Sequence, residues 1–263
     1  MQARIADIDV HYEITGQGPW LTLSHSLAAH LGMWEPQVEA LSRHFTLLRY
    51  DTRGHGGSTA TTAPYTLAQL ADDAHALLRH LGVVRTHWLG LSMGGMIGQM
   101  LAIRHPEVLD RVVLADTTGQ VPAAGAAMWA DRVRIARSEG LQALEEPTLS
   151  RWFTEPYRLA HPDVMADIGA MIRNTPVAGY AGCCEAIATT DTLAALKDQR
   201  SPALLIVGEH DQATPPAAAA AIASHWPGAR LVVLADAAHL ANIEQAAAFN
   251  DAVLDFLTAP AAA

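Results

Sequence analysis

The sequence predicts an α/β fold, a mostly parallel sheet flanked by helices and interrupted by a helical insertion. Three observations carry this. Short apolar runs alternate with helical patterns up to about residue 115 and again after about residue 200, as βα units do. A G-x-S-x-G turn, Gly90 to Gly94, sits between one such run and one such helix. Between Gln120 and Asp191 the pattern is helical throughout, with prolines at 122, 147, 156, 162 and 176 and no convincing strand.

Taken in order, Ile5–Thr15 alternates as a hairpin-like start, and Gly16-Gln17-Gly18-Pro19 is a turn. Trp20–Ser24 and Phe45–Tyr50 are short apolar strands separated by a helix over Glu35–Arg43. Leu67–Leu81 carries apolar residues at helical spacing and stops at Gly82. A strand over Thr86–Leu91, a helix over Met93–His105 and a strand over Arg111–Ala115 follow. After the insertion, strands resume at Ala203–Val207 and Leu231–Leu234, each followed by a helix. The boundaries expected are a core of residues 1–119 and 192–263 and a cap of 120–191. Ala217–Ala223 reads as helix after Pro215-Pro216, and 259–263 as a frayed tail.

Composition narrows the function classes. The chain has 263 residues, half of them hydrophobic and 17% charged, enough for one large core. A formal charge of −10 leaves no basic stripe for nucleic acid and disfavours an anionic membrane surface. The two cysteines, Cys183 and Cys184, are adjacent, too close in sequence for ordinary disulfide geometry and without zinc spacing. With no signal-peptide pattern and no apolar run of membrane length, a cytoplasmic protein is expected. No metal motif and no dinucleotide fingerprint is present, so neither metal nor cofactor is expected.

The chemistry is read from the turn. A serine between two glycines on a strand-to-helix turn is lifted above the sheet, and the next N–H opens a helix, where negative charge is favoured. Ser92 is the expected nucleophile. A serine hydroxyl needs a base oriented by an acid, and on this architecture the acid and then the histidine follow it past later strands. Asp211, in the turn after Ala203–Val207, and His239, after Leu231–Leu234, occupy those places. Asp116, at the end of an earlier strand, is the competing acid; His210 and Asp236 are weaker competitors. Backbone N–H groups of Met93 and Leu27, the latter in the loop His25–Ala28, are the expected oxyanion donors. The loop Asp51–Ser58 is expected to brace its neighbours, with Arg53 and His55 as lesser candidates for touching substrate.

With these residues in hand, the chain resembles the α/β-hydrolase superfamily over nearly its whole length. Within it, the chain is most similar to bacterial 3-oxoadipate enol-lactonases. The resemblance rests on Gly32–Gln37, Arg43–Phe45, Leu48–Gly56, Gly90–Gly95, Arg151–Thr154, Gly179–Gly182 and His239–Glu244. It implies an eight-stranded type of sheet, a helical cap, and hydrolysis of a small carboxylate-bearing lactone through an acyl-enzyme on Ser92. A carboxylate entering an acidic protein needs a local cation, and Arg132 and Arg151 are the cap candidates. Trp129, Trp152, Met128 and Met171 are candidates for the apolar wall, or else pack the cap itself. His25 and Ala28 depart from the Asn and Gly frequent at those positions in the family, which alters the pocket floor. The expected partner is a small ester or lactone, and a homo-oligomer is left open. The alternatives are a general carboxylesterase or perhydrolase, a hydrolase of other bonds, and a ligand sensor without turnover.

Overall fold

The computed structural model describes residues 1–260. The final residues of the expected tail, 261–263, lie outside them. The chain opens with an antiparallel hairpin, β1 (Gln2–Ile5) and β2 (Ile8–Thr15), whose first strand lies, but for Ile5, ahead of the Ile5–Thr15 stretch expected to hold it. Then come β3 (Trp20–Ser24), α1 (Glu35–Ser42), β4 (Thr46–Tyr50), α2 (Leu67–His80), β5 (Thr86–Leu91), α3 (Met93–Arg104) and β6 (Leu109–Ala115). A helical excursion follows: α4 (Ala123–Glu139), α5 (Gln142–Trp152), α6 (Glu155–Ala160), α7 (Pro162–Asn174) and α8 (Val177–Ala188). The chain closes with α9 (Leu193–Leu196), β7 (Ala203–Gly208), α10 (Pro216–His225), β8 (Arg230–Leu234), α11 (Ala241–Glu244) and α12 (Ala246–Thr258).

One eight-stranded sheet runs in the order β1-β2-β4-β3-β5-β6-β7-β8. It is parallel from β4 to β8, with β1 and β2 antiparallel at one edge. The central strands are buried along nearly their whole length, which is why they read as continuous apolar runs. The last strand differs. β8 is an edge, with Leu231 and Val233 exposed, so its apolar sequence reflects strand propensity more than burial. Helices α2 and α3 pack together and α9 joins α3 to α10, while α1 packs on α12. Two helical layers thus cover the sheet.

The helical excursion has a narrow neck. Val121 donates to the Thr190 carbonyl at 2.9 Å, Thr192 to that of Gly119 at 2.8 Å, and Gln120 bridges Asp191. Its helices pack chiefly on one another, α4 on α8 and α5 on α4 and α7. One close contact with the core is at α8: a Cβ on Gly179 would meet the Gly54 carbonyl oxygen at 2.0 Å, so this approach requires glycine.

Candidate active site

The turn after β5 places Ser92 at φ 56° and ψ −113°, a conformation costly for a residue with a side chain. Its surroundings fix it. Ser92 N donates to the Ala115 carbonyl at 2.9 Å, and Thr117 Oγ1 donates to the Ser92 carbonyl at 2.7 Å. A Cβ at Gly94 would lie 2.0 Å from the Ser24 carbonyl oxygen, which explains the second glycine of the motif. The ends of β3, β5 and β6 converge here.

Beyond β7, Asp211 is buried and surrounded by donors. Its Oδ1 accepts from Ala213 N at 2.7 Å and Thr214 N at 2.9 Å; its Oδ2 accepts from Thr214 Oγ1 at 2.7 Å. His239 Nδ1 stands 2.9 Å from the same Oδ2. A carboxylate can only accept, so the proton of a neutral His239 is assigned to Nδ1 and its Nε2 carries the lone pair. Burial raises the Asp211 carboxyl, but the His239 charge and the bonds from His239 and Thr214 outweigh it and hold the group below its ordinary value.

The competing acid is placed differently. Asp116 is fully buried at φ 44°, and its Oδ1 accepts from Gly208 N at 2.8 Å. Its Oδ2 has no partner among the described residues, and His239 is not bonded to it. Burial and the Asp211 carboxylate push its carboxyl well above the usual range. His210 and Asp236 are both exposed.

The loop His25–Ala28 is braced from both sides. His25 donates through Nδ1 to the Ser26 carbonyl at 2.7 Å and accepts Thr52 N at its Nε2 at 2.9 Å. His55 Nε2 accepts Ala28 N at 3.0 Å, while Ser26 N reaches Met33 Sδ at 3.3 Å. The N–H groups of Leu27 and Met93 have no acceptor among the described residues. Burial drives both imidazoles toward the neutral form that can accept, His55 down to about 3. Ala28 sits at φ 59°, a left-handed backbone that glycine adopts more easily. Arg53 is turned away from the cavity, bonded to Asp7 and Asp73.

Ser92, Leu27 and His239 share a cavity of about 410 Å³ with residues of the excursion. Met128, Trp129, Arg132, Arg151 and Trp152 line it. Met171 does not: it lies on α7 beside Gly32, where a Cβ would meet its Cε at 3.4 Å, so the expectation that it lines the cavity is corrected. Its helix packs on α5 and α6 and buries Ile168 and Ile172. Ser26, Met96, Thr148 and Ile187, which carry no site motif in the sequence, also line the cavity. Ser26 adjoins the expected oxyanion donor, and its buried Oγ has no partner among the described residues.

Arg132 donates from Nε to Tyr180 Oη and from Nη2 to Thr148 Oγ1, both at 2.8 Å, and lies 5.9 Å from the Trp129 ring centroid. Neither Arg132 nor Arg151 has an ion-pair partner among the described residues. Burial and the neighbouring Arg132 lower the Arg151 guanidinium from its ordinary value. Elsewhere, His75 of α2 meets His105 and Glu107 of the turn after α3. The two ring centroids are 3.9 Å apart with their planes tilted by 32°, and His105 Nε2 stands 2.8 Å from Asp72 Oδ1.

The alpha/beta hydrolase fold family matches residues 19–246. The chain belongs to that family. It is 36% identical over 249 residues to 3-oxoadipate enol-lactonase 2 of Acinetobacter baylyi, covering 94% of this chain and 92% of that one. The crystal structure of the enol-lactonase from Burkholderia xenovorans superposes with a TM-score of 0.96 at 43% identity, covering 98% of this chain and all of the other. RutD of Agrobacterium fabrum, named for carbamate hydrolysis, is 28% identical over 94% of this chain and 98% of its own. The protein is thus an enol-lactonase-like α/β hydrolase. No helix among the described residues is long and apolar enough to cross a membrane.

Proposed function

We propose that the protein is a serine hydrolase that opens a small lactone bearing a carboxylate, of the 3-oxoadipate enol-lactone type, with residues 120–191 acting as the cap that selects it. The observation that carries this reading is the pair Arg132 and Arg151, without acidic partners among the described residues, in the cavity shared by Ser92 and His239. A guanidinium left unpaired in an acidic protein is suited to an anionic ligand.

On this reading, Ser92 Oγ attacks the ring carbonyl while His239 Nε2 takes its proton, and Asp211 stabilises the resulting imidazolium. Negative charge on the carbonyl oxygen falls on the Leu27 and Met93 N–H groups, the latter at the positive end of a 12-residue helix. Collapse breaks the ring C–O bond, and the leaving enolate oxygen takes the proton from His239. The enol so formed becomes a ketone. His239 then draws a proton from water, whose oxygen attacks the acyl-enzyme, and the proton returns to Ser92 as the 3-oxo dicarboxylate leaves.

The test is steady-state turnover of the enol-lactone beside its methyl ester, a short p-nitrophenyl ester and a carbamate. The carboxylate-bearing lactone is expected to give the highest kcat/KM. Equal rates for acid and methyl ester would remove the substrate assignment, and preference for the p-nitrophenyl ester would identify a general carboxylesterase. Faster carbamate turnover would transfer the function to that bond.

A further inference from the structure

The loop that carries His239 is attached to the excursion on both sides of the histidine. On one side, Leu240 N donates to the Trp152 carbonyl at 3.0 Å. On the other, Ala238 N donates to Glu244 Oε2 at 2.8 Å. The other oxygen of Glu244 accepts from Thr154 N at 2.9 Å and from Thr154 Oγ1, at the junction of α5 and α6. Glu244 is buried, with no lysine or arginine paired to it among the described residues, so backbone and hydroxyl donors alone satisfy its carboxylate.

Its own helix is anchored in the core. Asn242 Nδ2 donates to the Met33 carbonyl at 3.1 Å and to Gln37 Oε1 at 3.0 Å, and Gln37 Nε2 returns a bond to the Asn242 carbonyl at 2.7 Å. The carboxylate thus reaches from a fixed turn to two partners, the histidine loop and the cap junction. Trp152, which precedes that junction, lines the cavity with its ring 6.1 Å from the His239 ring.

We infer that Glu244 is a positioning residue that ties the α5–α6 junction to the His239 loop, so that the seating of the cap sets the placement of the base. The inference rests on the reading of His239 as the base toward Ser92. The side chain needs both oxygens and its full length. Glutamine offers one acceptor and turns an NH2 toward an N–H donor, and aspartate is one methylene short of the span.

The experiment follows the rate at which a small fluorophosphonate modifies Ser92, a step that needs His239 but no lactone-binding contacts. Wild type is expected to label readily, and Glu244→Gln on the order of 10²-fold more slowly, the scale of a small misplacement of a reacting group. Lactone kcat should fall with KM unchanged, and adding Thr154→Ala to Glu244→Gln should slow labelling no further, because both act on one connection. Labelling of folded Glu244→Gln within twofold of wild type would overturn the inference while leaving the serine hydrolase reading intact. Wild type that does not label would overturn both. If Glu244→Gln fails to fold, Thr154→Val, which removes the hydroxyl donor to Glu244 together with the long Oγ1 cap on Tyr157 N and leaves the Thr154 N–H in place, carries the test. Slowing of roughly tenfold supports the tie, and an unchanged rate overturns it.

Discussion

Replacing Asp211 by asparagine changes one atom and reverses a hydrogen bond. Two N–H donors, Ala213 and Thr214, face Oδ1 at 2.7 and 2.9 Å, so the amide oxygen of the substituted side chain must take that place. The NH2 then falls where Oδ2 was, 2.9 Å from His239 Nδ1. A donor there needs a lone pair on Nδ1, which forces the proton to Nε2, the nitrogen that has to accept the Ser92 proton. The fold is retained, because Thr214 Oγ1 can accept where it formerly donated. The base is in the wrong tautomer, and the expected loss in kcat is about 10⁴-fold, the cost of the same exchange in a serine protease. That corresponds to about 5.4 kcal/mol of transition-state stabilisation. Steady-state lactone hydrolysis at neutral pH measures it, with Asp116→Asn as the comparison. In Asp116→Asn the amide oxygen still accepts Gly208 N and the NH2 occupies the unpartnered side, so a loss below tenfold is expected. A mild Asp211→Asn beside a severe Asp116→Asn would refute the assignment of the acid.

Arg132→Met should raise KM for the carboxylate-bearing lactone by roughly 10- to 100-fold, the worth of a hydrogen bond to a charged group, and leave KM for the methyl ester unchanged; substrate titrations of both check it. Stability should fall on acidification below the ordinary histidine value of 6.5, down to about 3, the value of buried His55. In that window the unfolded chain binds a proton that the folded His55 refuses, so stability rises with pH, by about 1.4 kcal/mol per pH unit, and His25, which burial also lowers, acts in the same direction. Chemical denaturation across pH 4 to 7 measures the slope, and His55→Gln should lessen it. Gly94→Ala should abolish soluble folded protein, since its Cβ would lie 2.0 Å from the Ser24 carbonyl oxygen, a backbone atom of a buried strand that cannot yield; the far-UV circular dichroism of purified protein checks this.

Where local physics decides the outcome, the sequence was legible. The buried strands β5, β6 and β7 are apolar throughout because helices cover both faces of the sheet, and the glycines of Gly90–Gly94 mark a turn that no side chain tolerates at those positions. The order of strand ends placed Asp211 and His239 near one another before their 2.9 Å separation was visible. The helical excursion was legible as helices but not as a surface. Helical spacing says which residues share a face, not which face meets the cavity, so Met171 on α7 and Trp152 on α5 looked alike, and only Trp152 lines it. β8 was read from apolar residues that proved half exposed, because strand propensity at an edge resembles burial. Glu244 left no signal as a tie, since Thr154 and Ala238 meet it across 90 and 6 residues of chain. The bracing role of Arg53 and His55 was legible in kind, though their partners Asp7, Asp73 and Ala28 were not.

The most direct measurement is the mass of the protein quenched during turnover. In a lactone the leaving oxygen stays tethered, so an acyl-enzyme carries the whole substrate. Rapid quenching of wild type with the enol-lactone should show the chain plus one lactone mass, mapped to the peptide containing Ser92 and absent from Ser92→Ala, which should not turn over. Undiminished turnover by Ser92→Ala, with no adduct on the wild type, would contradict covalent catalysis by Ser92.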